Sequence, residues 1–318
     1  MLDVRDLRVT FRTEEGTIRA VDGIDLEVSG DETVALVGES GCGKSVAALT
    51  LARLAAGPGL QVTGGIRLAG RDVLSLSERD LRRERGATIA YIFQDPMASL
   101  NPVKPVGAQI AEAIRLHRKV PDIETEVVGL MRLVGLPDPE TRRKAYPHQF
   151  SGGMQQRVMI AMALACHPKI LVADEPTTAL DVTIQAQIFS LLADLRAELK
   201  MAVLLITHNL GLVAQNAQRV YVMYAGRIME SGSAESVLRR SAHPYTRGLL
   251  AAVPRLRRTP ERMTGIEGTV PHPAHLPTGC RFQPRCSFAV ECCRTTEPEM
   301  QRVGEGHQTR CHCWKQLM

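Results

Sequence analysis

The chain has 318 residues, a formal net charge of +5 and a hydrophobic fraction of 44%. This length is too great for one small domain and fits one large domain with appendages. The positive charge is mild and spread along the chain, so it does not indicate nucleic-acid binding. No apolar leader opens the chain, and its longest apolar run, residues 158–166, is far shorter than the ~18–20 residues of a bilayer span. We therefore predict a soluble, cytosolic protein.

The first part of the chain predicts strands around a short helix. Apolar residues alternate over residues 2–11 and return at residues 18–28, which favours an antiparallel, half-buried hairpin region. The apolar run at residues 33–37 predicts a buried strand. A helix is expected at residues 46–54, and another strand near residues 65–68.

Strands and helices alternate through the next part. The predicted elements are a helix at 77–85, a strand at 88–93, helices within 106–167, a strand at 170–173, a helix at 183–200 and a strand at 202–207. Such alternation predicts a parallel sheet covered on both faces, with ligands at the carboxyl ends of the strands. Gln94, Asp174, Glu175 and His208 follow these strands, so we expect them to converge with the loop after residue 37.

That loop, residues 38–45, reads GESGCGKS and fits the G-x-x-x-x-G-K-[ST] pattern of a P-loop between a strand and a helix. Its glycines let backbone N–H groups close on an anion where a helix begins. We expect Lys44 to reach the β and γ phosphates and the Ser45 hydroxyl to ligate Mg²⁺. The candidate nucleotide-binding residues of the loop are Gly38, Ser40, Gly41, Cys42, Gly43, Lys44 and Ser45.

Two further stretches predict phosphate chemistry. Asp174 and Glu175 end an apolar strand as in a Walker B motif, where Asp174 holds Mg²⁺ and Glu175 polarises the attacking water. A helix cap or a solvated turn is the alternative interpretation. Residues 150–157, FSGGMQQR, open a helix with a serine and two glycines, which can form a second anion site. One nucleotide does not need two such sites, so this one is expected to close on ATP held by a partner subunit; an ordinary helix cap is the alternative.

These motifs together resemble the ATP-binding cassette (ABC) family, in the family's order and near its spacing. Gln94 stands as the Q-loop, FSGGMQQR as the signature, Asp174-Glu175 as Walker B, residues 179–181 as the D-loop and His208 as the switch histidine. Phe150 and Met154 replace the leucine and glutamine of most cassettes, a pairing associated with the peptide-importer branch.

The resemblance implies roles at the chain's own nucleotide. Phe11 stacks on adenine, although an aromatic residue at a strand end can equally belong to the core. Gln94 senses the γ-phosphate, Mg²⁺ or water and reports to a membrane subunit. His208 grips the γ-phosphate. The implied catalytic residues are Lys44, Gln94, Glu175 and His208, and the implied Mg²⁺ ligands are Ser45, Gln94 and Asp174.

The resemblance also implies contacts with a second subunit. Ser151, Gly152 and Gly153 face the ATP that the opposite subunit holds, and Asp181 contacts that subunit's P-loop. Two cassettes would therefore enclose two ATP molecules head to tail.

Six of the eight cysteines lie after residue 279, in a part of the chain that is rich in Pro, Arg and His and has little periodicity. The spacing of Cys280, Cys286, Cys293 and Cys311 matches neither the C-x₂₋₄-C of most zinc sites nor a common ferredoxin run. Four thiolates on loops suggest that a metal replaces missing packing. Spacing alone leaves zinc, an iron–sulfur cluster and unliganded thiols open.

A narrower resemblance bears on that choice. Residues 94–102, QDPMASLNP, residues 243–250, HPYTRGLL, and the cysteine tail are similar to the ATPases of dipeptide, oligopeptide and nickel importers. Similarity to the D-type subunits of that group implies a [4Fe–4S] cluster on the four cysteines. Cys292 and Cys313 are rivals for the third and fourth positions. His307 and His312 could substitute, although we interpret them as surface histidines.

We therefore predict an α/β fold, a P-loop ABC nucleotide-binding domain over residues 1–250. It would contain a RecA-like parallel sheet core, an antiparallel β subdomain and a helical subdomain at about 96–167, followed by a cysteine-rich extension over residues 251–318. The resemblance implies an ATPase that energises a di- or oligopeptide importer at the cytoplasmic face of the cell membrane, with ATP, Mg²⁺ and a [4Fe–4S] cluster. The implied partners are a second ATPase subunit, either an F-type homologue or a copy, two integral membrane permease subunits and an extracytoplasmic peptide-binding protein, with no nucleic acid.

Two alternatives remain at this stage. An importer of nickel or another small solute would look the same, because a cassette rarely touches its cargo. A soluble cassette ATPase that acts on DNA or ribosomes would typically carry a long coiled-coil insertion or two cassettes, and neither is visible in the sequence.

Overall fold

The computed structural model describes residues 1–14, 16–177, 180–252 and 265–318. Its strands are β1 (Leu2–Thr13), β2 (Gly16–Val28), β3 (Thr33–Val37), β4 (Gln61–Leu68), β5 (Arg71–Asp72), β6 (Ile89–Ile92), β7 (Ile170–Asp174), β8 (Ala202–Thr207), β9 (Arg219–Tyr224), β10 (Arg227–Ser233), β11 (Gln301–Gly304) and β12 (His307–Thr309). Its helices are α1 (Lys44–Thr50), α2 (Glu78–Ala87), α3 (Pro96–Ser99), α4 (Val106–His117), α5 (Ile123–Leu133), α6 (Pro139–Arg142), α7 (Gly152–Leu164), α8 (Val182–Leu199), α9 (Leu210–Asn216), α10 (Ala234–Arg239), α11 (Pro244–Ala251) and α12 (Glu291–Thr295). Ala179 of the predicted D-loop and residues 253–264 of the predicted extension lie outside the described residues.

The chain divides into two compact units, and the first comprises residues 1, 29–32 and 75–205. Within it β6 pairs with β7 in parallel, from Ile89 opposite Ile170 to Ile92 opposite Ala173. β7 is buried along its whole length, because both faces of a parallel strand are covered. The parallel pairing predicted from these apolar runs is confirmed.

The second unit comprises residues 2–28, 33–74 and 206–318. One of its sheets has the order β2-β1-β4-β5 and is antiparallel, which confirms the predicted hairpin region. In the other, β3 pairs in parallel with β9, and β9, β10, β12 and β11 follow as antiparallel neighbours. The second unit thus combines one antiparallel sheet with one that contains both parallel and antiparallel strand pairs.

The cysteine-rich extension packs within this second unit. Its hairpin β11–β12 continues the sheet, because β12 pairs with β10. Phe282 and several buried cysteines of the extension lie in one apolar cluster with Tyr224 and Tyr245. The boundary near residue 250 and the helical subdomain at 96–167 stay predictions.

Some predicted element bounds differ from the structure. α1 is shorter than the predicted helix, since Arg53 takes a left-handed φ of 51° soon after it ends. β4 is longer, because its pairing with β1 continues to Thr10 opposite Gln61. In the part of the chain that the structure describes, no helix combines the length and apolarity that crossing a bilayer requires.

Candidate nucleotide-binding site

The P-loop follows the buried strand β3, and at two of its glycines the backbone packs against its surroundings without room for a side chain. A Cβ on Gly38 would collide with the carbonyl oxygen of Met223. Gly43 has a φ of +106°, and a Cβ there would collide with the carbonyl oxygen of Ala20. Two of the predicted glycines are therefore required by close approach and backbone conformation as well as by any phosphate.

Lys44 is buried, at 4% exposure, beneath this loop. Its Nζ donates to the carbonyl oxygens of Gly38 at 2.7 Å and Glu39 at 2.9 Å. No side chain caps the start of α1, and three other loop residues are exposed to solvent: Ser40, Gly41 and Ser45. The loop thus offers backbone groups and one ammonium to an anion.

Cys42 is the remaining candidate of the loop. It is buried, and its Sγ lies 3.8 Å from the Nζ of Lys44. Burial raises the pKa of its thiol, with the nearby ammonium opposing the shift. The side chain therefore packs as a small neutral group.

Glu39 carries two contacts that the sequence motif did not reveal. Its backbone N–H donates to the hydroxyl of Tyr245 at 2.9 Å. Its carboxylate forms an ion pair with Arg285 of the extension at 2.8 Å, and this hydrogen bond raises the pKa of Arg285. Tyr245 belongs to the HPYTRGLL stretch that supported the narrower resemblance, so that stretch contacts the P-loop directly.

The predicted Walker B acids lie at the end of β7. Asp174 is the last residue of the strand and is buried. Glu175 follows with a left-handed φ of 46°, which a residue with a side chain rarely adopts and which often marks a functional position. Gln94 is exposed and follows β6, the parallel neighbour of β7, so it and the two acids lie at the same edge of that strand pair.

The predicted signature opens helix α7. The Ser151 hydroxyl caps this helix, accepting a hydrogen bond from the N–H of Met154 at 3.4 Å. Ser151 and Gly152 are exposed, so Ser151 can cap the helix while this surface stays accessible to a ligand. Phe150, which replaces the leucine of most cassettes, is buried, so this substitution lies in the core.

Asp181, the other residue predicted to contact a second subunit, lies at the start of helix α8. Asp181 caps it, accepting a hydrogen bond from the N–H of Ile184 at 3.0 Å. A Cβ on Gly153 would lie 2.8 Å from the side chain of Ile184, so this glycine also permits close packing of the two helix starts. The contacts of Ser151, Gly153 and Asp181 with a second subunit stay predictions.

Phe11 and His208 belong to the second unit. Phe11 is half-buried at the end region of β1, and a Cβ on Gly57 would approach its ring to 2.9 Å. His208 is exposed directly after β8. The adenine contact of Phe11, the γ-phosphate contact of His208 and the convergence of the whole set with the P-loop stay predictions.

The extension brings most of its thiols together. Five cysteines line one small cavity, together with His243, Phe282 and His312: Cys280, Cys286, Cys293, Cys311 and Cys313. Of the two rival ligands, Cys292 is exposed and is not among the lining residues, whereas Cys313 is buried and lines the cavity. Burial raises the pKa of Cys280 to about 11 and that of Cys311 to about 12, so both are neutral thiols near pH 7.

The described residues contain no group of three or more His, Cys, Asp or Glu side chains arranged to hold a metal ion. The structure therefore gives the predicted [4Fe–4S] cluster no support beyond the shared cavity. The interpretation of His307 as a surface residue is wrong, because it is buried and its Nε2 lies 2.8 Å from the carboxylate of Glu230.

Two family models match this sequence. The model described as "ABC transporter" matches residues 21–178. The model described as "Oligopeptide/dipeptide transporter, C-terminal region" matches residues 229–293. The first match includes the P-loop, the signature and the Walker B acids, and the second includes the HPYTRGLL stretch and three of the cavity cysteines.

Curated proteins match over the whole length. A putative peptide import ATP-binding protein of Brucella ovis is 50% identical, with 100% of this chain and 98% of that protein covered. The dipeptide transport ATP-binding protein DppD of Escherichia coli is 47% identical, with 98% of this chain and 96% of that protein covered.

Solved cassettes match the larger part of the chain. The ATP-binding cassette MJ0796, a dimer in a post-hydrolysis state with ADP and Pi, aligns with a TM-score of 0.66 and 26% identity over 74% of this chain and 99% of that one. A cassette from Clostridium perfringens, cbiO1 of the cbiONQ complex, aligns with a TM-score of 0.63 and 27% identity over 74% of this chain and 89% of that one.

Proposed function

Because this chain belongs to the ABC transporter family of ATP-binding proteins and is an ATPase of that family, we propose that it energises the import of di- or oligopeptides. The observation that carries the peptide assignment is the second family match, since it covers residues 229–293, which lie outside the match of the general ABC transporter model. The names of the full-length relatives agree with it and do not favour nickel.

The site residues suit in-line attack of water on the γ-phosphate of ATP. Lys44, held beneath the loop by its hydrogen bonds to the carbonyl oxygens of Gly38 and Glu39, would direct its remaining ammonium donor to the β and γ phosphates. Glu175, held after the buried strand β7, would orient the water and accept its proton. The Ser45 hydroxyl and Asp174 carboxylate are the hard oxygen donors that Mg²⁺ prefers, and bound Mg²⁺ would neutralise charge on the phosphates.

A second cassette, an F-type homologue or a copy, completes the proposed site. The start of α7, Ser151 to Gly153, where the first two residues are exposed, would meet the ATP of that subunit, and Asp181 would meet its P-loop. Backbone donors at a helix start favour such an anion. Closure of the pair would drive the membrane subunits, and hydrolysis would reset them.

The proposed membrane partners are two permease subunits, fed by an extracytoplasmic peptide-binding protein, with this chain peripheral at the cytoplasmic face. The proposed docking segment is residues 94–105. It exposes two large apolar side chains in the stretch that follows Gln94, Met97 at 72% and Val103 at 78%. Exposed apolar side chains of this kind suit an interface with another protein.

Capture from membranes tests the importer assignment. The tagged chain is expected to recover an integral membrane protein from detergent extracts of its own cells. Val103→Asp should reduce that recovery at least about tenfold, because burying an unpaired charge in an interface costs about 1.4 kcal/mol or more. Quantitative mass spectrometry of the recovered proteins measures the effect.

Leu116→Asp is the matched control, since Leu116 is 73% exposed on α4 outside the docking segment. It should leave recovery unchanged. Recovery of ribosomes or DNA without any integral membrane protein would reverse the ranking in favour of a soluble cassette ATPase.

The thiol cavity is the proposed position of the [4Fe–4S] cluster. Five cysteines lining one cavity support this position. Cys292 is exposed and does not line the cavity, which favours Cys293 as the third ligand, whereas Cys313 lines the cavity and stays a rival of Cys311 for the fourth. A cluster would have to displace the protons of these raised-pKa thiols, so its binding should weaken as pH falls.

Metal analysis after anaerobic purification tests this proposal. We expect about four irons per chain and a broad visible absorbance, as a [4Fe–4S] cluster would give. Cys293→Ser should lose both, while Cys292→Ser, at an exposed cysteine outside the cavity, should keep both. Zinc or no stoichiometric metal in the parent protein would refute the cluster and leave the ATPase assignment standing.

A further inference from the structure

The extension contacts the P-loop through a bidentate ion pair between Arg285 and Glu39. The guanidinium of Arg285 donates from Nη1 to Oε2 of Glu39 at 2.8 Å and from Nη2 to Oε1 at 2.9 Å. Glu39 is the second residue of the P-loop, and the Arg285 side chain is only 4% exposed. A bidentate pair of this kind fixes orientation as well as distance.

Arg285 is itself held in one orientation. Its Nε donates to the carbonyl oxygen of Glu267 at 2.8 Å, and its Nη2 also donates to that of Ile266 at 3.2 Å. Its guanidinium lies over the ring of Tyr224 at 5.7 Å and over that of Phe282 at 6.0 Å. The carboxylate partner is therefore held by a guanidinium that the extension and the apolar cluster immobilise.

Glu39 also contacts Lys44, the predicted phosphate-binding lysine. Its carbonyl oxygen accepts one of the hydrogen bonds of Lys44, and its N–H donates to the buried hydroxyl of Tyr245. Side chain, N–H and carbonyl of Glu39 are thus all engaged. A shift of Glu39 would move one of the two carbonyl oxygens that hold Lys44 in place.

The Arg285–Glu39 ion pair lies next in the chain to the thiol cavity. Arg285 directly precedes Cys286, which lines the cavity. On the other side, Arg281 directly follows Cys280 and forms a buried ion pair with Asp22. Arg281 and Arg285 are therefore each the chain neighbour of a cavity cysteine.

The Asp22 contact leads back to the P-loop through the backbone. The Asp22 N–H donates to the carbonyl oxygen of Gly226 at 2.9 Å, and the Gly226 N–H donates to that of Cys42 at 2.8 Å. The extension therefore reaches both the start and the middle of the loop.

We propose that Arg285 is a positioning residue for ATP binding: through Glu39, the folded extension around the thiol cavity holds the P-loop and Lys44 in the nucleotide-binding arrangement. The inference rests on the proposed nucleotide site. Because coupling between two sites is reciprocal, ATP bound at the loop should also stabilise the extension.

Equilibrium ATP binding to the full chain tests this role. Arg285→Gln and Glu39→Gln should each weaken ATP binding by about tenfold, within the usual range of coupling between sites. The double variant should be no weaker than Arg285→Gln, since both substitutions remove one contact. Glu39→Gln is decisive, because removing a negative charge near the phosphates would by electrostatics alone strengthen ATP binding.

Arg302→Gln is the matched control, an exposed arginine of β11 whose Nε donates to the carbonyl oxygen of Gly304 in the same extension. It should bind ATP as the parent does. Melting temperatures, measured in parallel, show whether each variant folds. If Arg285→Gln does not fold, Arg285→Lys replaces it: lysine keeps the charge without the bidentate geometry, and this variant should bind ATP with intermediate affinity.

Two failures are separable. A parent chain that does not bind ATP would refute the proposed function. A parent that binds ATP while Glu39→Gln matches it, or variants whose ATP affinity falls only in proportion to the folded fraction, would overturn the positioning role.

Discussion

Replacing Glu175 with glutamine is expected to leave ATP binding intact and to slow hydrolysis by at least about 100-fold, the usual contribution of a positioned general base. Glutamine has the same shape and can still contact water, but it cannot accept the proton. Because the carboxylate follows a buried strand in an unusual backbone conformation, the neutral substitute should occupy the same position. Phosphate release under saturating ATP, together with nucleotide affinity, measures both parts.

The control for this variant is Glu235→Gln, at a 72% exposed side chain in the first turn of α10. It should hydrolyse ATP at the parent rate. Hydrolysis at the parent rate by Glu175→Gln as well would show that another group orients the water, and Asp174 would then be the next candidate. Loss of ATP binding in Glu175→Gln would instead point to a structural role for this residue.

Replacing Lys44 with alanine is expected to weaken ATP binding by at least about 100-fold, which corresponds to about 2.7 kcal/mol. The ammonium is the one cation that the P-loop itself supplies, and charge-assisted hydrogen bonds to phosphate are among the strongest polar contacts. Its loss also leaves the carbonyl oxygens of Gly38 and Glu39 without this donor. Titration with a fluorescent ATP analogue measures the affinity.

Lys119→Ala is the control for the removal of a lysine, since Lys119 is exposed outside the P-loop. Its ATP affinity should equal that of the parent. A Lys44→Ala chain that keeps near-parent affinity while folding normally would contradict the P-loop assignment, because no other residue of the motif carries a positive charge.

The order of the strands and helices could be predicted up to residue 207, because each of these depends on a short stretch of sequence; the elements after that residue, β9 to β12 and α9 to α12, had no predicted counterpart. Apolar runs such as residues 170–173 and 202–207 appear as the strands β7 and β8 within one residue of their predicted bounds. Ser77, Ser151 and Asp181 precede helices and cap them, as their side chains favour. Bounds were missed where distant pairing decided them, as at the start of β4.

The candidate site was predicted to the extent that its chemistry lies in a continuous motif. GESGCGKS carries its lysine, hydroxyl and glycines within eight residues, and the expected strand precedes it. The motif did not reveal that Gly38 and Gly43 face the carbonyl oxygens of Met223 and Ala20. Those two contacts depend on strands that are far away in the sequence.

The cysteine tail shows the same limit. Its spacing left three interpretations open and did not reveal that Cys293, Cys311 and Cys313 line one cavity while Cys292 is exposed outside it. His307 was misjudged because its partner, Glu230, lies on another strand and provides the hydrogen bond that allows a polar ring to be buried.

The sequence by itself determined the phosphate-binding motif, the alternation of strands and helices and the family to which they belong, because these patterns need only neighbouring residues. Only the tertiary structure decided which thiols share a cavity and how the extension meets the P-loop. Arg285 and Glu39 are separated by 246 residues, and neither carries a local signal for the other. Such a pair forms because folding brings an immobilised guanidinium to a partly buried carboxylate, and burial makes the lack of a partner costly for both.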